Sequence, residues 1–160
     1  GPAPAMFAAA ALGIMDVAVF GCLGLLSPLE DDADLVESLR GAGRANPALG
    51  AALAVALFTL AGLPPTVGFM SKLVVFEAAL SGGYFWLSLI AVVSSATSVY
   101  YVLRVLAALY AKPKGEPAAV VSPGAGGMIA AVLSALLMLA LGVAPMPVLD
   151  AAAWAARLVQ

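Results

Sequence analysis

Two ionisable side chains lie deep inside apolar runs of this sequence, and one of them stands beside a pair of prolines. Lys72 falls within Val67–Leu80, a few residues after Pro64-Pro65. Adjacent prolines remove two backbone donors and block the preceding turn, so an α-helix cannot run straight through them. Pro64, Pro65 and Gly68 therefore mark a helix break. Backbone opened at membrane depth survives only where protein or trapped water satisfies it. An amine short of water holds its proton less firmly, which suits it to loading and releasing protons. The plain alternative is a lysine snorkelling to the membrane surface. Lys72 lies about eight residues from the Ser81-Gly82-Gly83 connection, roughly 12 Å along a helix. That is a long reach for snorkelling.

Asp16 is the second candidate. It sits near the middle of Met6–Ser27 between Met15 and Val17, where a carboxylate needs a partner or a proton. It can act as an acidic neighbour of Lys72, as a relay member, or as a protonated structural residue. Glu77, five residues after Lys72, does not share its helix face and reads as an interfacial or subunit-contact residue. Arg104 follows Tyr100-Tyr101 and is explained by snorkelling. Ser94, Ser95, Thr97 and Ser98 form a mid-helix polar patch that either permits close helix packing or lines a hydrated path.

These residues need a membrane to make sense. The chain of 160 residues is 64% hydrophobic and 10% charged, against roughly 25% charged in an ordinary soluble domain. Its mean hydropathy is +1.09. A net charge of −2 without any basic cluster argues against nucleic acid. There is no His, and Cys22 is the only cysteine. Disulfides, Cys/His metal sites, haem with a His ligand and Cys–His catalysis are thereby excluded. No cofactor and no metal is implied, and Cys22 reads as a small buried hydrophobe.

The elements that must position Lys72 and Asp16 follow from the apolar runs. These are 6–27, 46–63, 67–80, 84–111 and 126–148, and a crossing of about 30 Å needs roughly 20 helical residues. The second and third runs are each short. Arg40 and Arg44 lie in the loop before them, and Lys112 and Lys114 in the loop after the fourth run, whereas Ser81-Gly82-Gly83 carries no charge. Joining the two short runs into one crossing puts both basic loops on one side, as positive charge prefers. The expectation is an all-α integral membrane domain over 1–160. Its four crossings are about 6–27, 46–80 (broken at 63–66), 84–111 and 125–148. The polar segment 28–45 reads as a solvated loop, with a short surface helix over 33–39 as the alternative. The connector 112–123 reads as irregular, and the tail with Trp154 and Arg157 as an interfacial helix.

The run Leu63-Pro64-Pro65-Thr66-Val67-Gly68-Phe69-Met70-Ser71-Lys72 resembles the broken helix of the antiporter-like membrane subunits of respiratory complex I. Tyr84-Phe85-Trp86-Leu87 and Tyr100-Tyr101-Val102-Leu103-Arg104-Val105 narrow the resemblance to the N-subunit branch, called subunit 2 in mitochondria. The segment from Asp34 through Gly41, Arg44 and Pro47 is similar to the loop before that helix. The family's subunit is longer, and this chain would match its last four crossings.

The resemblance implies that Lys72 is a proton-transfer residue on a central hydrophilic axis. It also implies a non-redox component of proton-pumping NADH:ubiquinone oxidoreductase, partnered by other membrane-arm subunits and lipids. Asp16 lies where sibling subunits carry a basic or histidine relay residue, and Glu77 has no clear counterpart. A first residue that is not Met fits a split subunit whose N-terminal half is a separate polypeptide. Ala-rich helices fit an imported subunit of the mitochondrial inner membrane, with a bacterial plasma membrane as the alternative. The competing functions are an Mrp-type cation/proton antiporter subunit and a purely structural membrane subunit.

Overall fold

A computed structural model describes residues 2–26, 35–112, 124–144, 146, 150 and 154, and all regular structure among them is helical. Helix α1 spans Pro2–Leu26. Its alanines are the best helix formers, and its prolines fall in the first turn, where the missing donor costs nothing. One stripe faces inward: Phe7, Ala11, Met15, Ala18, Cys22 and Leu26 are all buried, at the three- and four-residue spacing of a helix face.

Two short turns follow, α2 (Leu35–Ser38) and α3 (Ala42–Ala45). The long helices after them are α4 (Pro47–Ala61), α5 (Val67–Ser81), α6 (Phe85–Leu109) and α7 (Ala125–Val143). Helices α1, α6 and α7 are each long and apolar enough to cross a membrane; α4 is apolar but shorter. Most of the expected C-terminal interfacial helix and of the 112–123 connector lies outside the described residues, as do 27–34; Asp150 and Trp154 of that tail are described, and both are helical and exposed.

Helix α4 is the centre of the bundle. It packs against α1, α5, α6 and α7, and apolar residues on nearly all its sides are buried, including Leu49, Leu53, Ala56 and Leu57. A helix apolar all round belongs in such a position. Its start is fixed by Asn46, whose Oδ1 accepts a hydrogen bond from the Leu49 N–H at 3.3 Å, and by Pro47 at the first helical position.

The segment before α4 departs from the expected solvated loop. Leu39 and Ala42 are buried, and the Gly41 N–H donates to the Ala108 carbonyl at the end of α6 at 3.2 Å. The apolar residues set among the charges provide the reason. They close over the last turn of α6, while Arg44 stays exposed.

Candidate functional site

The site is built where α4 stops and α5 begins. Helix α4 ends after Ala61, and Gly62 takes a left-handed conformation at φ 81°. The Gly62 N–H donates to the Thr59 carbonyl, and the Leu63 N–H to the Phe58 carbonyl. This pair of bonds is the Schellman arrangement, and Pro64-Pro65 then prevent the helix from resuming. The four last carbonyls of any helix lack intrahelical partners. Here two are taken by the turn, leaving those of Leu60 and Ala61.

Lys72 fills that gap. From the second turn of α5 its Nζ donates to the Ala61 carbonyl at 2.7 Å and to the Leu60 carbonyl at 3.4 Å. A cation at the C-terminal end of a helix meets the negative end of the macrodipole, an interaction of about 0.3–1 kcal/mol, and up to about 2 when partly buried. Two carbonyls and the helix end therefore hold the amine in place.

Gly62 serves the site twice. Its backbone conformation suits glycine, and a Cβ there would stand 2.8 Å from the Lys72 Cδ and 2.9 Å from its Nζ. Gly68 serves it once, since a Cβ there would run into the Thr59 carbonyl oxygen. The first turn of α5 is thus pressed against the last turn of α4. Thr66 and Ser71 turn their hydroxyls inward, to the Leu63 and Gly68 carbonyls at 2.6 and 2.9 Å. On α7, a Cβ at Gly142 would collide with Pro65 and Thr66, so the break also lies close against that helix.

The two sides of the break differ. One is an apolar crevice of about 330 Å³ lined by Phe58, Leu63, Pro64, Pro65 and Leu139, among others. The other is a cleft of about 560 Å³ in which Lys72 faces Ser94, Ser95, Ser98 and Tyr101 of α6. A smaller cleft of about 200 Å³ joins Lys72, Gly62 and Phe69 to Ser95 and Val99. Ser95 borders both. The Ser98 hydroxyl donates to the Ser94 carbonyl at 3.2 Å, which leaves its lone pairs for a donor from the cleft. Thr97, in the same run, lies outside these clefts and bonds back to Val93.

The remaining sequence candidates lie elsewhere. Asp16 is exposed on the outer face of α1, and no ion pair joins it to Lys72 among the described residues. Glu77 is exposed on α5 and Arg104 on α6. Sequence reasoning passed over Gly142 and the cap formed at Gly62. A glycine followed closely by proline at the end of an apolar helix is a signal that would have located the cap.

Residues 1–98 match the transmembrane family described as NADH:quinone oxidoreductase/Mrp antiporter. The chain belongs to that family. The match takes in both short helices, the break, Lys72 and the serines of α6.

Among relatives of this chain is the NADH-quinone oxidoreductase subunit N 1 of Solidesulfovibrio magneticus. It is 42% identical over 93% of the chain and 33% of the relative. Subunit N of Geobacter metallireducens is 43% identical over 93% of the chain and 32% of the relative. A chain of respiratory complex I from Thermus thermophilus, solved with bound aureothin, superposes with a TM-score of 0.81 at 33% identity. That match covers 94% of this chain and 34% of the other. The chain spans about one third of the length of each of these relatives.

Proposed function

We propose that this chain contributes a lysine-centred proton half-channel to the membrane arm of a proton-pumping NADH:quinone oxidoreductase. The observation that carries the reading is Lys72 itself. Its amine is held on the Ala61 carbonyl and opens onto a cleft bordered by three serine hydroxyls. A cleft of this size has room for several waters, each needing polar partners, and serines supply them. Lys72 takes a proton from the cleft, holds it against the helix end, and gives it up when redox events elsewhere in the complex change its surroundings. The chain is a non-redox component and does no catalysis by itself.

The half-channel reading goes with four crossings, the second formed by α4 and α5 together. Each of these helices has 15 residues, about 22 Å at 1.5 Å per residue, short of a core of about 30 Å. Further support comes from the bond between Gly41 and Ala108. The start of α4 and the end of α6 lie together with Arg40, Arg44, Arg104 and Lys112. This supports a single crossing, shared by α4 and α5, between the start of α4 and the start of α6. Positive charge gathered at one end is what a membrane orientation requires.

The partners are the other membrane-arm subunits, surrounding lipid, and the helices that make up the rest of the relatives' length. Those helices are supplied by the same polypeptide or by a separate one. The organisms of the named relatives are bacterial, which favours the plasma membrane over the mitochondrial inner membrane suggested by Ala-rich composition. The Mrp antiporter reading keeps a claim because the matched family spans both groups; the names of the relatives favour the oxidoreductase.

Replacing Lys72 with Met in the assembled complex tests the proposal. NADH-driven proton pumping is expected to be lost while the complex still assembles. Wild-type pumping would reject it, and sodium-dependent transport without a link to NADH would favour the antiporter.

A further inference from the structure

Asp16 is the one acidic residue placed midway along a membrane-length helix among the described residues, and it points outward. It stands about 15 Å from Leu26 along α1, exposed and turned away from the buried stripe that holds Met15 and Ala18. Its neighbours Val17 and Phe20 are 75% and 70% exposed. No hydrogen bond or ion pair reaches it from the described residues. Beside it the face is notched: added methyl groups at Gly13 and Gly24, three and eight residues away, would meet open space. The other face of α1 is already covered by α4, α5 and α7.

We propose that this face of α1 is a seam against a transmembrane helix outside this chain, and that the helix presents a lysine or arginine to Asp16. The inference rests on the reading of the chain as part of a longer membrane unit. The chain covers 33% and 32% of its two named relatives, so most helices of such a unit lie beyond it. The sign of the partner follows from charge. A carboxylate at mid-membrane depth is retained where a cation or a proton neutralises it, and glycines on the same face allow a second backbone to come close. A second copy of α1 packed symmetrically would bring two carboxylates together. Lipid chains would leave the group with no polar partner at all.

The test uses the intact complex in its native membrane. Dicyclohexylcarbodiimide partitions into lipid and reacts with protonated carboxyls reachable from it. After treatment, the peptide containing Asp16 is expected to be recovered unmodified by mass spectrometry. An adduct at Asp16 would overturn the seam, whether the face meets lipid or a second copy. A second measurement compares recovery of the assembled complex for Asp16→Leu and Asp16→Glu. Leucine leaves the partner cation unpaired, so recovery falls several-fold, whereas glutamate preserves it. Leucine equal to or better than wild type would mean a lipid-facing residue and would overturn the proposal. Both readouts are independent of proton pumping, so this inference and the half-channel reading can fail separately.

Discussion

The amine of Lys72 and the carbonyl of Ala61 meet at 2.7 Å although 11 residues separate them in sequence. One side chain therefore closes the end of a helix and, on the function proposed above, also carries a mobile charge. These roles respond differently to substitution. Lys72→Arg keeps a permanent cation able to bond the two carbonyls, but a guanidinium does not release its proton. The assembled complex is expected to keep its thermal stability and lose NADH-driven proton uptake into vesicles. Retained uptake would show that proton release from this side chain is not required.

Gly62→Ala should damage both roles at once. A left-handed backbone costs a residue with a Cβ about 1–2 kcal/mol, and the new methyl group would press on the Lys72 side chain. The expected outcome is a lowered melting temperature together with reduced pumping. A variant as stable and as active as wild type would mean that the turn at Gly62 is not held as described.

Ser95 borders both clefts beside Lys72. Ser95→Leu fills them with apolar bulk, and proton uptake should slow by about tenfold, equivalent to about 1.4 kcal/mol in the barrier. Ser95→Thr, which retains the hydroxyl, should stay near wild type. Equal rates for the leucine variant would route the proton away from α6.

Gly68→Val introduces bulk where the first turn of α5 meets the Thr59 carbonyl. The two helices can admit it only by moving apart, an overpacking effect of about 1–3 kcal/mol. Asn46→Ala, at the far end of α4, removes a cap worth about 1 kcal/mol and leaves the amine untouched. Both variants should melt earlier, and only Gly68→Val should also impair pumping, measured as the ratio of protons moved to NADH oxidised.

Much of this was legible in the sequence. Prolines act locally, so Pro64-Pro65 placed the stop near Leu63 without any knowledge of the fold. Long apolar runs likewise revealed α1, α6 and α7, because length and hydropathy are properties of the segment alone. What remained hidden depends on contacts between elements. The partner of Lys72 is a pair of backbone carbonyls, which leave no mark in residue identity. The patch at Ser94, Ser95, Thr97 and Ser98 was visible, but which members face the amine depends on how α6 is rotated against α5. The segment before α4 looked solvated because seven charged residues are scattered through its apolar ones. Leu39 and Ala42 find their cover only when the segment folds against α4 and the distant end of α6.

That contact has a consequence for how the chain tolerates change. With Gly41 bonded to Ala108, the first turn of α4 is clasped to a fixed corner of the bundle. Adding or deleting one residue between Ala45 and Pro47 would rotate all of α4 by about 100°. The Ala61 carbonyl would swing out of the amine's reach, some four turns away from the alteration. Insertions that surface connections usually accept would here act as a change of phase.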